Sequence, residues 1–592
     1  MPPTGLRQGA AAAVAAAVFV GAVAATPAPA SAAPTPSPGV IYQLGDEPCL
    51  KGRGNCAIYV KSAQLPSGRI VTSFEQATVA ASGSADGETL PVYASDDSGS
   101  TWRLLSQVAA PAYLSDDPAV APYTSNWTNP FLYVLPQDVG ELTAGTLLLA
   151  SVVSGDDHFY REHKAADPAW VPDNDGDRSD MAIALFASRD EGSTWDVVGI
   201  VATGGWQGGS AGAGGTNVAA ANTHRQVDPL WEPYLMVHEG ELVCFYSDED
   251  EYTGFDPVTG VAQLATDNGT AEDPKGQVLL HRTWDGRSPH WSDPVVDVPG
   301  AALDAPGGGS RLIGGGRPGM ATVVPTTDGR WLMTYEYWGG GDEVRYKLAD
   351  DPLRFFATGD ETGEGISGLP VAEGSSPLAR GGSPVTVALP DGRLLFNASG
   401  SGDVWVNASG RGDGVWTERT TPVGAAYSRT LQPVAGTNRV VILGDAGAST
   451  IVHGESTSRT DGRPPRRGRG RGRVCCSSSG SSGSPRGFVG DESHGGSTGT
   501  RRYHRAAGQT GAAIPKIRLT SAMRSPESRR SPPMARTIVV SCAVYSSRSI
   551  ARYAVMRSGP QVNAPWCSSR QAVCVPTKGA TESGTWCVDG VA

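Results

Sequence analysis

Residues Ser188 to Trp195 read SRDEGSTW, and residues Ser95 to Trp102 read SDDSGSTW. Both fit S-x-D-x-G-x-T-W, the pattern called the Asp-box, and each residue type has a mechanical reason to be there. Asp and Ser side chains bond to the backbone of a tight turn, Gly accepts a dihedral closed to other residues, and Trp packs between neighbouring sheets. These aspartates are therefore expected to be structural, not catalytic. Degenerate copies follow in TWDGRSPHW, from Thr283 to Trp291, and in VNASGRGDGVW, which ends at Trp416.

Working outward from the boxes, a glycine-containing turn is followed six times by an apolar run of strand length. The runs are RIVTSFE from Arg69, TLLLASVV from Thr146, ELVCFYSD from Glu241, RWLMTYEY from Arg330, RLLFNAS from Arg393 and RVVILGD from Arg439. Ahead of these turns lie AIYVKSAQL, NPFLYVLP, EPYLMVH, RPGMATVVP, SPVTVALP and SRTLQPV, so the unit is a hairpin. Six hairpins with Asp-boxes predict an all-β fold, a six-bladed β-propeller of four-stranded antiparallel blades resembling the sialidase type, over residues 40–455. Blade six loses its pattern after GASTIVHGE. Its outer strand is either absent, missing through the altered C-terminus, or donated by the N-terminal VIYQL at Val40 to Leu44.

The two ends of the chain read differently from the middle. Arg7, an apolar run from Ala10 to Ala25, and Ala30-Ser31-Ala32 form the three parts of a secretory signal peptide over 1–32, followed by a Pro-rich linker at 33–39. Export is the expectation, with no membrane span left after cleavage. Cys49 and Cys56 could close a small disulfide loop, while Cys244 lies in an apolar run and reads as a reduced core residue. Beyond Glu455 the chain turns to RPPRRGRGRGR and Ser/Gly/Arg tracts. Residues 456–592 hold nearly half of the Lys and Arg but only about a tenth of the Asp and Glu, in a chain of net charge −12. A disordered tail, an Arg/Gly nucleic-acid arm and out-of-frame translation of a GC-rich gene compete here. Export argues against the arm, no nucleic-acid partner is expected, and the composition favours the frame change.

Propeller geometry then converts spacing into a site. Residues that precede the inner-strand prolines belong to one rim: Asn129, Glu232, Arg317 and Ser383. Second-strand ends reach the same rim and bring Glu75, Asp248 and Glu336. Tyr335, Tyr337 and Trp338, beside Glu336, offer surface on which a sugar can stack, and Arg317 offers a fixed positive charge. Paired carboxyl groups with aromatic walls suit glycoside hydrolysis, in which one protonates the leaving oxygen and the other attacks or activates water. The plain alternative is that each rim carboxylate is solvated or salt-bridged, with Arg317 neutralising one of them.

The succession NPFLYVLP, FASRDEGSTW, WEPYLMVHEGELVCFYSDE, RPGMATVVPTTDGRWLMTYEYW and AYSRTLQP resembles the glycoside hydrolase family 93 exo-arabinanases, most specifically at WEPYL, RPGM and TYEY. The resemblance implies a six-bladed propeller, a retaining attack on the ends of α-1,5-linked arabinan, and a catalytic pair at Glu232 and Glu336. It assigns Glu232 as nucleophile and Glu336 as general acid/base, with Arg317, Tyr335 and Tyr427 as substrate contacts. Trp231, Asn129 and Asp248 complete the expected substrate-binding set. No metal or cofactor is implied, and a monomer is expected. YTGFDPVTGVAQLATDNGTAEDP, after the third hairpin, departs from the family pattern as an insertion.

Two other functions share the fold. A sialidase would need an arginine triad and a Phe-Arg-Ile-Pro-like motif, where the first blade has AIYVKSAQLPSGR; a non-catalytic glycan- or protein-binding propeller would not need Glu232 and Glu336 to be close or dry. Minor motifs carry less. DNDGD at Asp173 to Asp177 reads as a solvated acidic loop because its glycine is misplaced for calcium. His224, His238, His281 and His290 lack metal-ligand spacing. Asn126, Asn268, Asn397 and Asn407 head glycosylation sequons, and GGGSRLIGGGRPG lacks the context of a nucleotide loop.

Overall fold

In every repeat the glycine turn joins an inner strand to its antiparallel partner, and two further strands complete a four-stranded sheet. The structure is a computed structural model that describes residues 39–457 apart from 48, 51–55, 79–86, 173–175, 210–216, 272, 305–310 and 339–341. The expected signal peptide, nearly all of the linker and the basic tail beyond residue 457 lie outside the described residues. Blade one begins with Ala57–Gln64, blade two with Ser125–Val134, blade three with Leu230–His238, blade four with Pro318–Pro325, blade five with Val385–Ala388 and blade six with Thr430–Pro433. Among the described residues the six four-stranded sheets form the expected six-bladed propeller.

Apolar residues explain why the sheets stack face to face. Middle strands such as Leu147–Ser154 and Ala182–Ser188 are buried along their whole length, without the alternation of a half-exposed sheet. Each face packs on a neighbouring blade. Leu132, Leu149 and Phe186 of blade two meet Val71, Leu90 and Val92 of blade one, and comparable clusters fill the other five interfaces. At ~25 cal/mol per Å² of apolar surface removed from water, these interfaces are the main favourable contribution to stability.

Both Asp-boxes are pins between blades. Asp190 Oδ1 accepts from the amide of Thr194 at 2.8 Å, Oδ2 from its hydroxyl at 2.7 Å, and the Gly192 amide donates to Ser188 Oγ at 2.8 Å. Gly192 has φ +91°, as the turn demands. The turn delivers Trp195 to the blade-one interface, where its indole N–H donates to Ser106 Oγ at 3.2 Å.

The outer strand of blade six is Gly39–Gln43, which pairs antiparallel with Thr450–Thr457 and places Val40 opposite Val452. Donation by the N-terminal strand is thus the reading that holds, and it covers the edge of Thr450–Thr457 that would otherwise be open. Cys49 and Cys56 form a disulfide near this seam, and Cys244 is a buried thiol. Three sequon asparagines, Asn126, Asn397 and Asn407, are buried in the sheets, so their amides are closed to a glycan. Asp177 also departs from expectation: within DNDGD it is buried, and it accepts from the amides of Gly208 and Ala219, at 2.9 Å each, and from Asn222.

Deleting residues 39–43 would expose the strand at 450–457 and the apolar side chains under Ile41. We expect an apparent melting temperature lower by about 5 °C or more and concentration-dependent association, checked by calorimetry and light scattering.

Candidate active site

Each blade opens on the rim with one non-glycine residue in the left-handed backbone region. These are Tyr59 (φ 58°), Asn129 (49°), Glu232 (62°), Met320 (52°), Ser383 (44°) and Ser428 (57°). In blades one to four the residue sits in a break of strand register, between Ile58 and Lys61, Thr128 and Phe131, Trp231 and Tyr234, and Gly319 and Thr322. Such conformations cost on the order of 1–3 kcal/mol each and persist where the surroundings over-determine them. Arg317 also has positive φ, but it stands three residues ahead of Met320, so the fourth rim position belongs to Met320.

The kinks aim backbone amides at carboxylates of the preceding blade. Met320 N–H donates to Glu232 Oε2 at 2.8 Å, and Ser383 N–H donates to Glu336 Oε2 at 2.7 Å. Glu232 also accepts from Ser247 Oγ at 3.1 Å. Glu336 is more richly supplied, with the indole N–H of Trp338 at 2.8 Å from Oε1 and the Tyr427 hydroxyl at 3.1 Å from Oε2. Glycine keeps these approaches open: a Cβ on Gly382 would meet Glu336 Oε2 at 2.8 Å, and one on Gly319 would meet Glu232 Oε2 at 3.1 Å.

The cavity beside Glu232 is lined by Tyr59, Lys61, Asn129, Phe131, Tyr234 and Met320. Asn129 is buried, and among the described residues both its carboxamide atoms lack a hydrogen-bond partner. Tyr59 meets Tyr427 edge to face, with ring centroids 5.8 Å apart. Trp338 is 42% exposed, a free aromatic face next to Glu336.

Electrostatics follow from this crowding. Burial and then the charge of Glu336 push the Glu232 carboxyl up to about 8, against the Met320 and Ser247 hydrogen bonds and Lys61. Glu336 is raised by burial and held back by its donors from Ser383, Trp338 and Tyr427. The Lys61 ammonium, lowered to about 8 by burial, is stabilised by both glutamates. Burial opposes charging the two glutamates together, while the three donors on Glu336, the two on Glu232 and the Lys61 ammonium offset part of that cost.

The structure brings Glu232, Glu336, Asn129 and Tyr427 together and places the other expected residues elsewhere. Tyr335 is wholly buried between blades three and four and donates to Thr362 O at 2.8 Å, because strand alternation turns it away from the side that carries Glu336. Trp231 lies in the core and donates to Glu249 Oε1 at 2.7 Å. Arg317 grips the same Glu249 with both terminal nitrogens, at 2.6 and 2.8 Å, so it neutralises a carboxylate instead of waiting for substrate. Glu75 is buried and accepts from Thr128 Oγ1. Asp248 is bonded to Tyr252 Oη at 3.0 Å and joins Asp228, Asp250, Glu251 and Asp273 in a separate acidic cluster. Lys61, Ser247 and Glu249 were not anticipated; a lysine in the inner strand AIYVKSAQL was the available signal for the first. Among the described residues no group of three His, Cys, Asp or Glu is placed to hold a metal ion, and no helix is long and apolar enough to cross a membrane.

Neither a protein-family model nor a curated protein matches the sequence. Among solved structures the chain is similar to the GH93 α-L-arabinofuranosidase of Fusarium graminearum in complex with arabinobiose, at 22% identity and TM-score 0.49, covering 72% of this chain and 98% of that one. It is also similar to an α-L-arabinanase of Penicillium chrysogenum complexed with arabinobiose, at 24% identity and TM-score 0.47, over 72% of this chain and 99% of that one. A Hadza microbial sialidase matches at 12% identity and TM-score 0.38, over 68% and 66% of the two chains.

Several buried carboxyl groups bind protons more tightly folded than unfolded: Glu232 and Asp273 at about 8, Asp228 at about 9 and Glu251 at about 7, each raised first by burial. Their contribution is full below the ordinary carboxylate range and is lost as pH rises through these values. The melting temperature should therefore fall steadily from pH 5 to pH 9, and Asp228→Asn should flatten that slope; a scan in buffers of equal ionic strength checks it.

Proposed function

We propose that this protein is a retaining, exo-acting glycosidase that removes sugar from the ends of α-1,5-linked arabinan outside the cell. The observation that carries the hydrolytic reading is the pair Glu232 and Glu336, two buried carboxyl groups facing each other electrostatically, with three hydrogen-bond donors on Glu336 and two on Glu232. The arabinan specificity and exo action rest on the sequence resemblance at WEPYL, RPGM and TYEY.

The hydrogen-bond pattern supports roles opposite to those that the resemblance implies. Glu336 accepts three hydrogen bonds and remains the anion, so it is the nucleophile; Glu232 holds the shared proton and is the acid. In the first half-reaction a Glu336 oxygen bonds to the anomeric carbon while Glu232 gives its proton to the departing glycosidic oxygen. In the second, Glu232 takes a proton from water, whose oxygen attacks the same carbon and releases Glu336. Met320 and Ser383 amides hold the two carboxyls in place through both halves. Lys61 keeps the site near neutrality, a positioning role. Sialidase action is disfavoured because Arg317 is held by Glu249 and buried Arg429 is bonded to Ser401 O at 3.0 Å.

Sugar release from linear α-1,5-arabinan should fall by about 10³-fold or more in Glu336→Gln and by about 10²–10⁴-fold in Glu232→Gln, with sialyl-lactose untouched throughout. On an aryl arabinofuranoside whose leaving group needs no proton, Glu232→Gln should regain activity with added azide and lose the alkaline limb near pH 8. The opposite pattern would return the nucleophile to Glu232. Lys61→Met should move the acid limb of kcat/KM to higher pH, since both carboxyls lose a stabilising cation; an unmoved profile would remove Lys61 from the mechanism.

A further inference from the structure

A second cavity, of about 370 Å³, opens on the rim between blades two and three. Its walls come from the end of the outer strand Asp196–Thr203, from the segment leading into Leu230–His238, and from the turn after Glu241–Asp248. By blade topology these are the ends that carry Glu232, so both cavities face the same side. Trp206, Asn222, Thr223, Gln226, Asp228 and Asn268 supply its chemistry.

This cavity is built, not incidental. Gly205 N–H donates to Asp228 O at 2.9 Å and Asp228 N–H to Trp206 O at 2.8 Å, which ties together the main-chain segments that carry the indole and the carboxyl. His158 packs on the indole with ring centroids 5.0 Å apart. Asn222 is fixed by Asp177 and by both main-chain groups of Gln226. Yet Asp228, 4% exposed, accepts no hydrogen bond on its side chain among the described residues, and Gln226 Oε1, on a residue 3% exposed, is likewise unpartnered. Buried polar atoms without partners, lining a cavity of small-ligand size, mark places where a ligand supplies the missing bonds.

We infer that this cavity is a sugar-binding subsite for the glycan beyond the reacting residue, with Trp206 as the stacking face and Asp228, Gln226 and Asn268 meeting hydroxyl groups. The inference rests on the glycosidase reading and extends it. The lining combines the carboxamides of Asn222, Gln226 and Asn268, the hydroxyls of Thr203 and Thr223, the His224 imidazole, and the carboxyls of Asp228, raised to about 9 by burial and by Asp250, and of Asp250, raised to about 6 by burial; these groups can both donate to and accept from sugar hydroxyls, and a cation is the competing occupant that the spermidine arm of the test addresses.

The test uses full-length Glu336→Gln protein and calorimetric titration with linear α-1,5-arabino-oligosaccharides, a panel of xylo- and galacto-oligosaccharides, and spermidine. Trp206→Ala, and Thr223→Trp to fill the mouth from an exposed position, should each weaken oligosaccharide binding tenfold or more. With an active catalytic pair, the loss of kcat/KM on arabino-oligosaccharides should exceed the loss on an aryl arabinofuranoside by a similar factor. Tight oligosaccharide binding that both variants leave within twofold overturns the subsite and spares the enzyme reading. Trp206-dependent binding of another oligosaccharide, with none of arabino-oligosaccharides, supports the subsite and overturns arabinan as substrate. Binding of spermidine alone, or of nothing, overturns the inference.

Discussion

Two carboxyl groups that share a dry cavity cannot both carry a charge, and the centre of this propeller is arranged around that constraint. Burial raises both Glu232 and Glu336, and each charge opposes the next. The protein resolves the conflict asymmetrically. It directs three donors at Glu336, two at Glu232, and sets one ammonium, Lys61, where it feels both. The difference in donors makes the surroundings of the two carboxyls unequal, the kind of asymmetry that the proposed reaction requires.

The two amide donors exist because the backbone is bent at the same place in every blade. Six left-handed residues at six strand starts are a repeated device, and only two of them, Met320 and Ser383, point their amides at the acids. The repeat supplies the same bend everywhere; the side chain at each bend differentiates it. Glu232 is itself one of the six, so the acid and the amide that holds it are produced by one rule applied in adjacent blades. The strain is sustained by buried clusters on both faces of every sheet, which is why a site of this rigidity is found on a propeller and not on a free loop.

How far the sequence reveals this depends on whether the signal is local. Asp-boxes, glycine turns and apolar runs have short-range causes, and they led to six blades and to the rim positions Asn129, Glu232 and Ser383 without any structure. Orientation is where the reading failed. Tyr335 and Glu336 are adjacent in TYEY, and strand alternation sends one into the core and the other to the cavity. Arg317 precedes a proline as Glu232 does, yet the kink in blade four falls three residues later, at a methionine that carries no chemical signature. Its partner Glu249 is 68 residues away, and no local pattern links them. Lys61 was visible as a letter and silent as a role, because its meaning depends on acids contributed by blades three and four.

The seam of the ring also bears on how the protein comes to exist. Among the described residues Gly39–Gln43 is the first strand to be synthesised, and its partner Thr450–Thr457 is the last. The ring therefore stays an open arc until translation has passed residue 457, and the earliest-made strand waits through the whole of it. Loop closure over that separation adds little free energy but delays the final pairing. A reading-frame change just beyond Thr457 would then alter the tail and leave the closing pair encoded upstream of the lesion.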